Sequence, residues 1–410
     1  MREARRDIRP RLTLALLSLQ HALIHGQSAL YPLVYLAVID ELHITASTIV
    51  ILATIGNVGG GFIQYTFGAL TRRISRVTML GAGGLVVGVS TAAQAATNGL
   101  LSFGTANVVS KIGGSPQHPV GNALIADQFP KRQMGTAIAV HVAGGNVGTV
   151  LVGFTAALAI SAFGWRGSVL ALGIGATIVA VAILFLVRED HAARVRGHEH
   201  STVRGQYRAV LADPNLRWLY LAAVLGGGSR GLGVLNIFVP LYLSEAIGLD
   251  VPTIGAMYGL LLAASVPGPL VSGWLSDRIG RKPVIVGVYV LGAASIALFV
   301  LAGHDIAWLW VGIAALSLFS FVESPQLQAL LADVTARPLR DAAFSTYFAL
   351  AFGLGGSWGL LYGAVIDMGG PGKGLGVVFG LMAVASILAA LATLRIRMTV
   401  HEDHLAFTDA

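Results

Sequence analysis

The chain contains no cysteine, and only 11% of its 410 residues are charged. Without cysteine there is no disulfide framework, no thiolate nucleophile and no thiolate metal ligand. Soluble domains are about 25% charged, whereas 55% of these residues are hydrophobic, so most of the surface must contact lipid. A nucleophile elbow, a metalloprotease motif and a phosphate-binding loop are also missing. These absences argue against an enzyme and predict a membrane protein without a cofactor.

The net charge of +7 does not indicate a nucleic-acid partner, because the basic residues lie in short loops between apolar runs. Five arginines precede the first apolar run, which extends from Leu12 to Val38. That run is too long for the apolar core of a signal peptide, and no small-x-small cleavage site follows it. We therefore expect it to be a retained first helix.

Windows of 20 or more mostly apolar residues predict twelve transmembrane helices, which we call spans 1 to 12. They cover residues 12–38, 46–70, 77–97, 99–125, 133–160, 165–187, 216–246, 252–276, 283–302, 306–332, 340–366 and 374–394. We expect an all-α membrane protein with an N-terminal six-helix bundle at 1–187 and a cytoplasmic linker at 188–215. A C-terminal six-helix bundle with a short cytoplasmic tail then occupies 216–410.

Lysine and arginine set the predicted orientation. If both termini are cytoplasmic, 23 of the 27 basic residues lie on the cytoplasmic side. Cytoplasmic loops carry such an excess in multi-pass membrane proteins. We therefore predict a plasma (inner) membrane protein with both ends inside, and we expect a monomer surrounded by lipid.

Short sequences recur in the same order about 205 to 211 residues apart. Gly68–Arg76 resembles Gly273–Arg281, and Asn122–Asp127 resembles Gln328–Asp333. Parallel repeats of this kind are typical of transporters, whose halves are related by an axis along the membrane normal. The repeat therefore predicts two six-helix bundles related by a pseudo-twofold axis.

Two clusters of small residues also recur at matched positions. They comprise Gly144, Gly145, Asn146 and Gly148 in span 5 and Gly355, Gly356 and Gly359 in span 11. Glycine allows close approach of helices in lipid, so we expect both clusters to pack against the opposite half.

Ionisable residues near the middle of the spans are few. They are His21, His25, Lys111, His118, His141, Arg230 and Glu323. A charge at the bilayer centre costs at least about 2.5–3.5 kcal/mol, so it usually faces a watery cavity or a partner. Spans 3, 6, 9 and 12 contain none, which predicts a cavity lined by spans 1, 4, 7 and 10.

Lys111 and Arg230 are predicted to bind an anionic substrate, since the arginine fork matches carboxylate or phosphonate oxygens. The alternative for each is a fixed ion pair with Glu323. The candidate substrate site comprises His21, His25, Gln27, Lys111, His118, Arg230, Asn236 and Gln326. Asparagine side chains also serve as hydrogen-bonding contacts between helices, and this alternative stays open for Asn236.

Glu323 is the acidic residue deep within a span, and we predict that it carries the coupled proton. The repeat places it about one turn from the equivalent of Lys111, so we expect the two to face each other. His25 and His118 are alternative coupling sites, because imidazole titrates near physiological pH.

A metal site of His21, His25 and either His118 or His141 is conceivable. Repulsion from Lys111 and Arg230 argues against it, so no metal is expected.

The loop from Gly273 to Lys282 resembles the motif that joins the second and third helices of each half in the major facilitator superfamily. The resemblance implies the major facilitator fold. It also implies a gating role for Gly273, Asp277, Arg278, Gly280, Arg281 and Lys282, with the acidic residue at the N-terminus of a neighbouring helix. In the first half Arg72 replaces that acidic residue and Ser75 replaces the second glycine. We therefore interpret Arg72, Arg73 and Arg76 as charges that only set topology.

Ser115–Pro119 followed by Gly144–Gly148 resembles the fosmidomycin-resistance type of exporter within that superfamily. This resemblance implies efflux. We expect a proton-coupled secondary transporter that exports a small anionic or zwitterionic solute by antiport and alternating access. The alternative is uptake by proton symport, and a remote alternative is a membrane-embedded sensor or enzyme. The expected partners are the solute, protons and lipid.

Overall fold

The computed structural model describes residues 8–71, 73–189, 203–336 and 339–398, which contain helices and no strand. The first half comprises α1 (Pro10–Leu42), α2 (Ala46–Leu70), α3 (Arg76–Ala93), α4 (Leu100–Gly113), α5 (Gln117–Gln128) and α6 (Lys131–Leu186). The rest comprises α7 (Val203–Ala212), α8 (Pro214–Gly226), α9 (Asn236–Leu241), α10 (Val251–Ala263), α11 (Pro267–Ile279), α12 (Arg281–Leu301), α13 (Ile306–Phe319), α14 (Glu323–Val334), α15 (Arg340–Phe348) and α16 (Trp358–Leu394).

These helices account for the twelve predicted spans. Within the described ranges, nine helical segments are long and apolar enough to cross a membrane, and a pair bent by 43° makes a tenth. The segment Ala137–Leu186 contains both span 5 and span 6. Gly164, at φ 67° and ψ 169°, breaks the helix between these two spans. Span 4 is divided into α4 and α5 by a short break. The predicted twelve-span architecture is confirmed.

Part of the predicted linker lies outside the described residues, as do Arg72 and the chain beyond residue 398. The described part of the linker contains α7, whose Val210 is buried. Tyr207 of α7 lies against Tyr65 of span 2, with ring centroids 4.7 Å apart. Helix α7 therefore marks one end of the bundle, which we call the linker end.

Apolar packing differs between the two ends. The largest buried cluster joins spans of both halves through residues such as Tyr35, Ile49, Phe238, Tyr258 and Ile366. The Tyr258 hydroxyl also donates a hydrogen bond to the carbonyl of Ala29 across the halves, at 2.9 Å. Nearer the linker end, each half has a separate apolar cluster. The halves are therefore closed against each other at the end opposite the linker.

The glycines of span 5 contact span 1 of their own half. A Cβ on Gly144, Gly145 or Gly148 would come within 3.0 Å of atoms in α1. Asn146 beside them is partly exposed. We expected contact with the opposite half, and for this cluster the expectation is wrong. Glycines four residues apart form a groove that admits another helix closely, but they do not specify which helix enters.

The glycines of span 11 mostly do reach the opposite half. A Cβ on Gly359 would overlap the side chain of Thr54 in α2, and one on Gly356 would lie 3.6 Å from Val58. Gly355 instead packs against Val224 in α8 of its own half. Spans 2 and 11 thus run close together where the two bundles meet.

We predict that Gly148→Ala lowers thermal stability, because its new methyl group would overlap the carbonyl oxygen of Ala22 and push spans 1 and 5 apart. Overpacking of this kind costs about 1–3 kcal/mol. Gly380→Ala is the matched control, since a Cβ there meets nothing within 4 Å and alanine favours helix. Thermal unfolding in detergent measures both. Equal melting temperatures for the two variants would contradict this account of the groove.

Candidate functional site

Two helix breaks bring the buried charges of the second half together. In span 7, regular helix stops at Gly226, and Arg230 is extended at φ −65° and ψ 138°. Gly233 in the following turn has φ 103°, a conformation that favours glycine. In span 10, α13 ends at Phe319 and Glu323 begins α14. The Gly231 N–H donates to the Ser320 carbonyl at 2.9 Å, so the two breaks are in contact.

Arg230 and Glu323 form an ion pair at these breaks. The Arg230 Nε lies 2.7 Å from Glu323 Oε1, and the Tyr289 hydroxyl donates to Glu323 Oε2 at 3.1 Å. The remaining guanidinium nitrogens donate to the carbonyls of Ala351 and Ala223, at 2.7 Å and 3.2 Å. Both charged side chains are buried. The fixed pair that the sequence left open for Arg230 is therefore the arrangement in the structure.

A small space adjoins the carboxylate of Glu323. Its volume is about 10 Å³, and its lining includes Ser229, Tyr289, Ser320 and Ser386. A space of this size holds about one water molecule when polar groups surround it. The carboxylate thus lies beside a space of about the size of one water molecule.

Lys111 lies in the first half and has a neutral partner. Its ammonium donates to Asn57 Oδ1 at 2.8 Å and lies 5.7 Å from the centre of the Tyr31 ring. Glu323 is buried against Arg230 instead, so the alternative of an ion pair between Lys111 and Glu323 does not form. Asn57 borders the opposite half, because a Cβ on Gly233 or Gly356 would lie 4.0 Å or 3.9 Å from its side chain. Lys111 is therefore a partly exposed cation next to the interface between halves.

The histidines of spans 1, 4 and 5 form one cluster. The His21 ring centroid lies 4.5 Å from those of His25 and His141, and 4.8 Å from that of His118. His118 also stacks at 6.3 Å on Phe348 of the opposite half. The sequence left open a shared site of His21, His25 and either His118 or His141, and the structure brings all four rings together.

Three other predicted substrate ligands are buried in contacts between helices. Gln27 donates to the Thr91 hydroxyl of α3, and Gln326 donates to Ser272 Oγ at 3.0 Å. Asn236 accepts from the Gly233 N–H at 2.8 Å and donates to the Ser28 carbonyl at 3.3 Å. Each of the three is at most 4% exposed. These contacts place all three among the groups that join helices, so we leave them out of the proposed substrate site.

The gating motif forms its contacts at the linker end. Arg281 pairs with Asp277 at 2.8 Å and with Asp333 at 3.3 Å. The Arg278 guanidinium lies 3.8 Å from the Trp274 ring, and Lys282 donates to the Leu394 carbonyl at 2.6 Å. Gly280 has φ 94°, which explains glycine at that position, whereas Gly273 has only loose contacts. Asp277 is bound to the arginine of its own motif in this conformation.

The first half contains an ion pair equivalent to Arg281–Asp333, and we call these two pairs the braces. Arg76 pairs with Asp127, which is the repeat equivalent of Asp333, and lies 3.7 Å from Glu189. Our interpretation of Arg76 as a charge that only sets topology is therefore wrong. The recurrence of Asn122–Asp127 as Gln328–Asp333 was the signal that could have identified this pair. Arg73 has no ion pair among the described residues.

The model of the Major Facilitator Superfamily matches the chain over residues 17–232 and 229–409. The chain belongs to this superfamily, and it is a transporter rather than an enzyme. The crystal structure of a mutant of the nucleoside transporter NupG has the same fold, with a TM-score of 0.76 at 14% identity over 95% of this chain and all of that one. The family and fold predicted from the loop motif are confirmed.

Curated relatives include three transport proteins. A metabolite transport protein of Haemophilus influenzae is 25% identical to this chain. The match covers 87% of this chain and 88% of the relative. The fosmidomycin resistance protein of Escherichia coli is 25% identical and covers 65% of each chain, which confirms the resemblance read from the motifs. The gallate transporter of Pseudomonas putida is 24% identical and covers 67% of each chain.

We expect Arg76→Gln and Arg281→Gln to slow transport to a similar extent, because each removes the same brace from one half. The pairs are partly exposed, so each should contribute less than about 1 kcal/mol to stability. The effect should therefore appear in the transport rate more than in the melting temperature. Glu245→Gln, at an exposed position away from both braces, is the control. Normal transport by Arg76→Gln would restore the purely topological interpretation.

Proposed function

We propose that this protein is a proton-coupled secondary transporter that exports a small organic anion or zwitterion across the plasma (inner) membrane by alternating access. In this proposal residues 1–187 and 216–410 are the two moving halves, and residues 188–215 are a cytoplasmic linker. The protein acts as a monomer in lipid, with both termini in the cytoplasm. The bias of 23 of 27 basic residues toward one side supports that orientation.

Lys111 is the observation that carries the choice of an anion. Its partner is an amide oxygen and not a carboxylate, so no acidic side chain neutralises the ammonium. It is also partly exposed beside the interface that alternating access opens and closes. Arg230 cannot serve in this way while Glu323 neutralises it. A carboxylate or phosphonate bound at Lys111 would gain a charge-assisted hydrogen bond.

Glu323 is the proposed proton acceptor. Protonation would remove the negative member of the buried pair and leave Arg230 unneutralised in a region without bulk water. A buried charge that loses its partner is strongly destabilising, so the contacts among spans 7, 9, 10 and 11 would have to change. This gives the proton a means to shift the balance between conformations.

The proposal has two candidate directions of transport, export and uptake. The similarity to the fosmidomycin resistance protein supports export by proton antiport. The Arg230–Glu323 pair favours the second candidate, uptake by proton symport, because protonation of Glu323 would free a cation that attracts an anion. Antiport requires proton and substrate to bind in opposition, and symport requires them to bind together. The sign of the pH effect on substrate affinity therefore decides between them.

We predict that Lys111→Gln weakens binding of the anion, since glutamine is polar but carries no charge. Thermal shift of the purified protein against organic carboxylates and phosphonates would identify a ligand for this test. The loss should be at least about tenfold in affinity, as expected when one charge-assisted hydrogen bond is removed. Lys373→Gln, outside the predicted cavity, is the control. Retained affinity in Lys111→Gln would move the substrate site elsewhere.

Glu323→Gln is expected to abolish pH-driven accumulation while it leaves substrate exchange between the two sides of a liposome membrane intact. The amide keeps the size and one acceptor of the carboxylate but does not titrate between pH 5 and 8. A double variant, Arg230→Met with Glu323→Leu, tests folding separately, because apolar replacement of a buried pair is often neutral or stabilising. Accumulation that still follows the pH gradient in Glu323→Gln would assign coupling to His25 or His118.

A further inference from the structure

Three histidines of the first half converge on one point. His21, His25 and His118 each offer a ring nitrogen, and these atoms lie within 4.8 Å of one another. His21 and His25 are one helical turn apart on α1 and therefore share a face. His118 enters from the first turn of α5, just after the break in span 4. The convergence thus depends on two helices and not on one local sequence.

Hydrogen bonds to the His141 carbonyl and the Thr149 hydroxyl fix how two of these rings point. His21 Nδ1 lies 2.9 Å from the carbonyl oxygen of His141, which can only accept, so the proton of His21 is on Nδ1. The lone pair is then on Nε2, which faces His25 Nε2 at 3.0 Å. His25 Nδ1 lies 3.3 Å from the Thr149 hydroxyl. A ring that donates its far N–H to a carbonyl is the usual arrangement of a metal-binding histidine.

The spacing fits a tetrahedral ion. Zinc binds imidazole nitrogen at about 2.0–2.1 Å, so two ligand atoms in tetrahedral geometry lie about 3.4 Å apart. The two Nε2 atoms are already close to that separation, at 3.0 Å. His118 must move inward by a ring rotation to complete the set, and its ring is partly exposed.

Of the two charges that argued against a metal, one is neutralised and the other lies on a separate part of span 4. Arg230 is neutralised by Glu323 in the second half. Lys111 is directed to Asn57 and precedes His118 by seven residues and a helix break. The cluster itself consists of imidazoles, which bind zinc, copper and nickel in their neutral form.

We propose that His21, His25 and His118 bind one divalent transition-metal ion of the zinc type. Three imidazoles leave a fourth coordination position open, on the side where His118 meets the opposite half. The site belongs to the first half alone and does not depend on the direction of transport or on Glu323. His141 orients His21 through its backbone carbonyl and is not a ligand.

The test is zinc binding by the full chain, purified with an affinity tag that contains no histidine and stripped with a chelator. Isothermal titration with ZnCl₂ should give one ion per chain. His25→Ala and His118→Ala should each weaken the affinity at least tenfold. Thr149→Val should weaken it by about tenfold, since partners of metal-bound histidines contribute that much. His304→Ala, in an exposed loop, should bind zinc as the unchanged protein does.

A second readout guards against variants that do not fold. Co²⁺ bound by three imidazoles in a four-coordinate site gives visible absorption, which should appear in the unchanged protein and in His304→Ala and be absent from His118→Gln. Circular dichroism of the metal-free variants shows whether the helices are intact. Zinc binding at one equivalent that survives in folded His25→Ala and His118→Gln overturns the proposal. Failure of the unchanged protein to bind zinc or cobalt above the level of His118→Gln overturns it as well.

Discussion

The exclusion of water from the centre of a bilayer governs the interior of this protein, because every charge and every backbone polar group there needs a partner. Arg230 shows the consequence. One of its nitrogens pairs with Glu323, and two others donate to the carbonyls of Ala223 and Ala351. Regular α-helix ends close to both carbonyls, in spans 7 and 11. The broken helices and the ion pair therefore depend on each other.

The two halves carry the same outer framework around different interiors. Arg76–Asp127 and Arg281–Asp333 are equivalent braces at the linker end. Inside, the second half is neutralised by its own ion pair, whereas the first half presents Lys111 and the histidine cluster with neutral partners. A repeat preserves what both halves need for folding and packing. The interior, where substrate and protons are handled in our proposal, has no such requirement for symmetry.

Contacts between the halves are arranged for movement. They are tight along spans 2 and 11, where Gly359 lies against Thr54, and they merge into one apolar core at the end opposite the linker. Nearer the linker the two cores are separate. If the linker is cytoplasmic, as we propose, this is a conformation closed toward the outside. Small residues at the interface permit rocking, because they present smooth surfaces and little side-chain interlocking.

Composition and spacing determined the class, the twelve spans and the residues that carry charge, since the thickness of a bilayer and the cost of burying charge act directly on length and sequence. The tertiary structure alone decided the partners. Lys111 meets Asn57 and not Glu323, the glycines of span 5 receive span 1, and His118 joins His21 and His25. Sequence periodicity determines which residues share a face of one helix. The rotation of each helix and the positions of its breaks decide which faces meet, and those follow from packing of the whole bundle.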